Sequence, residues 1–382
     1  MEKLPKSLQL KLQQRKEANA LRALTEAHGL VDFSSNDYLG FSQSDEIFQK
    51  AHQYLLSANV VSNGATGSRL ISGNHALYKD TETFIAKFHN SPSALVFNSG
   101  YDANVGFFSS VPQKDDVVLY DEYIHASIRD GLRLSNAKSF KFRHNDPCHI
   151  ENLIGRHKRG EAEVYIVTES VFSMDGDCPD FEKFLAVAEK YNCRLVIDEA
   201  HALGVFGKRG EGLIQQLGYE DRVFARIITF GKGLGCHGAA VLGPNGLREY
   251  LLNFARSFIY TTALPPHSLA VIYTAYQYLE KNRETQNQLK QNITFFAKEI
   301  NRLDLAKLFI PSDSAIHCAI VSGNDKVKNI ASSLQQAGYN VKPILSPTIP
   351  QGQERLRFCL HSYTTHQEIT QVLTKLRELL HL

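Results

Sequence analysis

Between about residues 45 and 265, short apolar runs recur along the chain: 94–98, 117–120, 164–168, 194–198, 227–230 and 239–243. Runs of this length, apolar at successive positions, read as strands buried on both faces. The stretches between them have helical periodicity. Strands alternating with helices predict an α/β protein with a mostly parallel sheet and helices on both of its faces. Upstream, residues 5–25 carry Leu8, Leu12, Ala18, Leu21 and Leu24 amid Lys, Gln and Arg, the pattern of a surface helix that lays one stripe on the body or on a partner subunit. Downstream, Pro265 and Pro266 open a long helical stretch to about Arg302. The pattern then changes to strands at 315–321, 339–344 and 356–360 with helices near 325–337 and 366–380, a smaller α+β domain. The division expected is an N-terminal helix and arm over 1–44, a large α/β domain over 45–280 and a small C-terminal domain over 281–382. There is no internal repeat and no low-complexity segment.

Composition narrows the class. The chain has 382 residues, 43% hydrophobic and 21% charged, ordinary values for a globular protein of two or three domains. Its 42 basic and 40 acidic residues leave a net charge of +2, so nothing points to nucleic acid or to an anionic membrane as partner. The basic run Arg156-His-Lys-Arg159 reads as a solvated helix end. No run of 18 apolar residues occurs, the start has no apolar signal core, and Glu2, Glu17 and Glu26 interrupt what would otherwise resemble a transit peptide. The six cysteines (148, 178, 193, 236, 318 and 359) are scattered, as in a reducing compartment. A cytoplasmic protein is expected.

The candidate chemistry sits at the ends of two strands. Lys232 lies in the glycine-rich turn Thr229-Phe-Gly-Lys-Gly-Leu-Gly-Cys-His-Gly238, where glycines let the chain turn sharply and a flat ligand come close. Such a lysine is a candidate Schiff-base nucleophile. The run 194–198 ends in Asp198, with His201 three residues on, and open parallel sheets bind ligands at the carboxyl ends of their strands. An amine, a carboxylate and an imidazole around one flat ligand suit pyridoxal phosphate (PLP): the lysine holds the aldehyde, and the carboxylate keeps the pyridine nitrogen protonated. Ser99, Gly100 and Tyr101 follow a strand and open a helix, so their amides suit a phosphate.

Two motif matches compete, and a third class of motif is missing. Gly233-Leu-Gly-Cys-His-Gly238 fits the dinucleotide pattern but lacks a strand-terminal acid about 20 residues on. Asp198-Glu-Ala-His201 spells a helicase-like box, yet no GxxxxGK[ST] accompanies it. No His-Glu-x-x-His or paired CxxC spacing argues for a metal.

Seven segments carry a family resemblance: Phe33-Ser-Ser-Asn-Asp-Tyr-Leu-Gly40, Gly64-Ala-Thr-Gly-Ser-Arg-Leu-Ile-Ser-Gly73, Asn98-Ser-Gly-Tyr-Asp-Ala-Asn104, Ile124-His-Ala-Ser127, Thr168-Glu-Ser-Val-Phe-Ser-Met-Asp-Gly176, Asp198-Glu-Ala-His201 and Thr229-Phe-Gly-Lys232. In this order the chain resembles the α-oxoamine synthase family of fold-type I PLP enzymes. Within that family it is most similar to the member that condenses L-alanine with a pimeloyl thioester on the way to biotin. The resemblance implies a large domain with a mostly parallel sheet, a small C-terminal α+β domain, and a homodimer with shared active sites. It also implies that Lys232 binds the cofactor and moves the substrate Cα proton, that Asp198 pairs with the pyridine nitrogen, that His201 meets the phenolic oxygen and that His125 lies against the ring. Gly100, Tyr101 and Thr229 are expected at the phosphate, Ser173 at the ring substituents, and Thr261 and Thr262 at the phosphate of the neighbouring subunit. Arg357 is expected to grip the amino acid carboxylate, assisted by Asn36, while Arg22 and Thr348 meet the acyl substrate. Arg355, two residues earlier, reads as a pairing residue. Cys236 reads as apolar filler in a tight turn.

One departure stands out. Where many family members carry an arginine two residues before Pro-Thr, this chain has Leu345 in Ile344-Leu-Ser-Pro-Thr-Ile-Pro350. The sequence leaves open whether the acyl carrier is CoA or acyl carrier protein. A sister activity using glycine and a short acyl-CoA is the alternative.

Overall fold

The computed structural model describes residues 4–21, 24 and 29–381. It contains two compact units, one built from 36–173 and 178–287, the other from the N-terminal segment to residue 35, residues 174–177 and the chain from 288 onward.

The first unit is organised around seven strands: β1 (Ser93–Phe97), β2 (Val117–Asp121), β3 (Lys138–Phe142), β4 (Val164–Glu169), β5 (Arg194–Asp198), β6 (Ala225–Thr229) and β7 (Ala239–Gly243). Their order across the sheet is β1-β7-β6-β5-β4-β2-β3, and only β7 runs antiparallel to its neighbours. Every residue of β1 and β4 is buried. Alternate residues, among them Leu95, Val118, Val167, Val196, Ile227 and Val241, share one core with Phe107, Phe108, Ile128 and Leu251 of the covering helices. The intervening residues Val96, Ile166, Ile197, Ile228 and Ala240 are buried as well, so both faces of the sheet are covered, as a parallel sheet requires.

Six of these strands lie within two residues of the apolar runs read in the sequence. β3 does not appear among those runs. It is an edge strand whose Lys138 and Lys141 side chains face solvent, so it carries no continuous apolar signal. The helical stretch after Pro265 is two helices, Pro266–Lys281 and Glu284–Arg302, broken at Asn282 and Arg283. The N-terminal helix forms over Lys6–Glu17, but none of its residues is buried, so within this chain its leucines make no stripe against the body.

The second unit holds a three-stranded antiparallel sheet, β8 (Ile316–Ile320), β9 (Lys342–Ile344) and β10 (Arg355–Cys359), in the order β9-β10-β8. Helices Asn324–Gln336 and His366–Leu379 accompany it, the latter begun by a capping box between Thr365 and Glu368.

Glu199, the second residue of the helicase-like box, belongs to the core of the first unit. Its carboxylate is fully buried, accepts a hydrogen bond from the Ile214 amide at 3.0 Å and lies 3.6 Å from the Arg226 guanidinium, itself 3% exposed. Burial raises the Glu199 pKa and Arg226 opposes that rise. Removing one partner of such a pair strands the other charge. Arg226→Met is therefore expected to lower unfolding stability by about 3–5 kcal/mol, read by urea denaturation. A carboxyl whose folded pKa is raised contributes stability that is lost as pH rises through that value, so the deficit is expected to grow above the ordinary carboxylate range. A pH-independent deficit would point to packing alone.

Candidate active site

The parallel strands deliver the candidate residues to one edge of the sheet. β2, β4, β5 and β6 are mutually parallel; β1, antiparallel to β7 as β6 is, shares their direction. Asn98 to Tyr101 follow β1, His125 follows β2, Ser173 follows β4, Asp198 ends β5, and Thr229 ends β6 three residues before Lys232. This is the carboxyl edge where open α/β sheets take ligands.

Lys232 sits on the turn between β6 and the antiparallel β7. The turn is closed by hydrogen bonds from the Phe230 amide to the Gly238 carbonyl, the Cys236 amide to the Phe230 carbonyl and the Gly235 amide to the Lys232 carbonyl, at 2.9, 2.9 and 2.8 Å. Its glycines are demanded by close packing. A Cβ on Gly233 would lie 2.2 Å from the Leu203 carbonyl oxygen, and Gly235, at φ +59°, would meet the Ser42 amide at 2.1 Å. Because the pattern Gly233 to Gly238 leads into strand β7 rather than a helix, the strand–turn–helix context of a dinucleotide site is missing.

Two hydrogen-bonded lines meet at this edge. In the first, Lys232 Nζ lies 2.8 Å from His201 Nε2, His201 Nδ1 lies 2.6 Å from the Tyr38 hydroxyl, and Tyr38 donates to Asn36 Oδ1 at 3.2 Å. Tyr38 is fully buried and His201 is 5% exposed, while Lys232 is half-buried. In the second, the Asn104 amide donates to Asp198 Oδ2 at 2.9 Å and to Ser127 Oγ at 3.0 Å, and Ser127 Oγ lies 2.7 Å from His125 Nδ1. The other oxygen of Asp198 accepts from the Ala200 amide at 2.9 Å. Among the described residues, the buried Asp198 carboxylate is thus oriented by neutral donors.

Glu169 joins them. It ends β4 in register with Asp198 and accepts the His125 amide at 2.6 Å. Burial, with Asp198 beside it, pushes its carboxyl well above the usual carboxylate range, and Lys232 draws it back. The imidazole of His125 is held below its ordinary pKa by burial, with Asp198 opposing.

The remaining positions are placed as follows. Gly100 opens the helix Gly100–Ser110, whose first-turn amides have no carbonyl within the helix to reach, and Ser99 caps it by accepting the Asp102 amide. A Cβ on Gly100 would fall 2.4 Å from Thr229 Oγ1, so the absence of a side chain keeps the helix end and the strand end together. Tyr101 directs its hydroxyl to Asp130 at 2.8 Å. Thr261 and Thr262 are tied to Asn98, whose amide donates to Thr261 Oγ1 at 3.1 Å and to the Thr262 carbonyl at 2.7 Å. In the second unit, Arg357 lies on β10 opposite Lys342 and Cys318, and Thr348 is exposed in the turn after β9. Arg355 is 4% exposed, ion-paired with Asp175 and donating to the Met174 carbonyl, which makes it the pairing residue expected. Arg22 lies outside the described residues.

Four residues of these lines were not singled out by the sequence: Tyr38, Asn104, Ser127 and Glu169. Each lies inside a segment that carries the family resemblance, but neither spacing nor residue type indicates which side chain it reaches.

The arrangement fits PLP on its own terms. An amine stands on a turn with an imidazole beside it, a buried carboxylate has no cation hydrogen-bonded to it among the described residues, and helix-start amides lie where a side chain would collide with Thr229.

Comparison with known proteins agrees. Residues 28–376 match the family described as aminotransferase class I and II. An 8-amino-7-oxononanoate synthase of Emericella nidulans is 43% identical over 358 residues, covering 89% of this chain and 86% of the relative. The 8-amino-7-oxononanoate synthase structure from Francisella tularensis matches at 30% identity with a TM-score of 0.78, over 92% of this chain and 98% of its own. A structure of SPT, the serine palmitoyltransferase, with PLP matches at 25% identity and a TM-score of 0.89, over 98% and 96% of the two chains. On these grounds the chain belongs to the aminotransferase class I and II family, alongside the 8-amino-7-oxononanoate synthases it resembles.

Proposed function

We infer that this protein is a PLP-dependent 8-amino-7-oxononanoate synthase, an acyltransferase that joins L-alanine to a pimeloyl thioester with loss of CO₂ in biotin biosynthesis. The observation that carries this reading is the convergence of Lys232, His201 and Asp198 at adjacent strand ends in a chain 43% identical to such an enzyme. When bound, PLP accepts the electron pair that alanine leaves behind on losing its Cα proton.

The chain's own residues do the rest. Lys232 is the amine that holds PLP; once the substrate amine displaces it, Nζ takes the Cα proton. Asp198 holds a proton on the pyridine nitrogen. His201, steadied by Tyr38, hydrogen-bonds the phenolic oxygen with help from Ser173, and His125 supplies a flat imidazole against the ring. The amides of Gly100 and Tyr101 and the Thr229 hydroxyl hold the phosphate. Arg357 grips the alanine carboxylate as a bidentate donor, assisted by Asn36, and Arg22 and Thr348 meet the acyl group. The substrate Cα then bonds to the acyl carbon as the C–S bond breaks, the thiolate taking a proton from solvent to leave as free thiol; the original carboxylate departs as CO₂, and Lys232 Nζ returns its proton to Cα.

A homodimer completes the reading. Ile71 is 86% exposed, Leu70 53% and Tyr260 72%, and the Ala263 amide joins these two segments by donating to the Gly67 carbonyl at 3.0 Å. So much clustered apolar surface favours a second copy over it, bringing Thr261 and Thr262 to the neighbour's phosphate. A cytoplasmic location is supported by the free cysteines, and no helix among the described residues is long and apolar enough to cross a membrane.

The test is a matrix of amino acids against acyl thioesters, on CoA and on acyl carrier protein, scored by product mass. Alanine with a pimeloyl thioester is expected to lead, with glycine behind by about 10- to 200-fold, the discrimination one methyl group supplies. Arg357→Ala is expected to raise KM for both amino acids equally, because both present the same carboxylate. Leu345→Arg should change the acyl constants more than the alanine ones. A glycine preference with acetyl or succinyl thioesters would move the protein to a sister activity.

A further inference from the structure

We propose that Asn104 and Ser127 are positioning residues that fix His125 as a neutral imidazole with its proton on Nε2, through a one-way chain of hydrogen bonds anchored on Asp198. The role given to His125 rests on the reading above; the direction of the chain does not.

The direction follows from what each group can donate. Asp198 accepts only, so the Asn104 atom 2.9 Å from it is the amide nitrogen, and a flipped amide would set oxygen against carboxylate. That nitrogen has two hydrogens. One goes to Asp198 and the other to Ser127 Oγ at 3.0 Å. With its oxygen already accepting, Ser127 turns its own hydrogen to His125 Nδ1 at 2.7 Å. The Ser127 backbone amide, which can only donate, reaches the same Nδ1 at 3.2 Å. Two donors on one ring nitrogen leave it no room for a proton, so the ring's single proton sits on Nε2.

Both links are shielded. Asn104 is 2% exposed and Ser127 is fully buried, so no water competes for these bonds. The backbone of His125 is pinned as well, by its amide on Glu169 Oε1 at 2.6 Å. The charged groups facing the ring are Asp198, Lys232 and Asp130, with Glu169 behind it. Of these only the carboxylates favour an imidazolium, and burial outweighs them. A neutral ring adds no second positive charge against a cationic ligand, and two bonds at Nδ1 stop it from rotating.

The test is nitrogen-15 NMR of the histidines in the full-length protein, with and without PLP, the His125 signals being assigned by their loss in His125→Asn. The wild type is expected to show Nδ1 bare and Nε2 protonated at neutral pH. Ser127→Ala, which leaves only the longer backbone bond, is expected to admit the Nδ1–H form, raise the midpoint of His125 titration and lower kcat by about tenfold, the effect of one hydrogen bond. KM for alanine should move far less. Asn104→Ala should shift the nitrogen signals in the same sense by a smaller amount. A protonated Nδ1 in the wild type, or signals unmoved in Ser127→Ala, overturns the proposal. The wild-type result does not depend on Ser127→Ala, so a Ser127→Ala chain that fails to fold leaves the test standing. A bare Nδ1 in a protein inactive with alanine and pimeloyl thioester would sink the functional reading alone.

Discussion

Replacing Lys232 with alanine is expected to abolish product formation, by at least the roughly 10²- to 10⁴-fold that a lost proton-transfer group costs, while the unfolding midpoint stays within a few degrees of wild type. The two halves of this expectation come from the same geometry. The lysine is half-buried on a turn, and His201, 2.8 Å from its Nζ, keeps the Tyr38 hydroxyl on its other nitrogen when the amine is gone. Little packing is lost. The chemistry loses both the amine that holds PLP and the base at Cα. The measurement pairs a product assay with borohydride reduction of the wild type and peptide mapping. A pyridoxyl group found on another lysine, or a variant retaining a few per cent of activity, would show the assignment to be wrong.

Asp198→Asn is the second large effect. It keeps the volume and removes the charge, so the pyridine nitrogen loses the partner that holds its proton, and exchange of the alanine Cα proton with solvent is expected to slow by about 10²- to 10⁴-fold. The surroundings make the substitution harsher than the isosteric change suggests. Asp198 Oδ2 accepts from the Asn104 amide and Oδ1 from the Ala200 amide, and whichever way the new side chain turns, its NH₂ faces one of these donors. A modest loss of stability should accompany the loss of rate. Exchange at the wild-type rate, measured by deuterium uptake into alanine, would dissociate Asp198 from the reaction.

Much of this was legible in the chain because the fold turns short sequence segments into loops on one edge. Runs such as 164–168 and 194–198 have continuous apolar centres because the sheet is covered on both faces, and the residues after them had to lie at the carboxyl edge. Lys232, Asp198 and His201 could be placed near one another on that ground. The line from Asn104 to His125 could not. Residues 104, 127 and 198 are far apart in sequence, and an asparagine on a helix announces nothing about the carboxylate it meets. β3 escaped notice for the opposite reason, its exposed Lys138 and Lys141 being the kind of residue that protects an edge. The glycines from 233 to 238 match a dinucleotide pattern that the sequence itself argued against for want of an acid; the hairpin into β7 accounts for them by backbone crowding.

The antiparallel β7 has one more implication. Because the segment bearing the amine is stitched into the sheet on both sides, it cannot swing as a lid or hinge without tearing two ladders from the middle of the domain. Its hydrogen-bonded amides, those of Phe230, Gly235 and Cys236, belong among the slowest to exchange, opening only when the whole domain does. The nucleophile is a fixed landmark. Any closing around substrate is left to segments outside this hairpin, and inserting even one residue between 230 and 238 would cost the protein its registration rather than its flexibility.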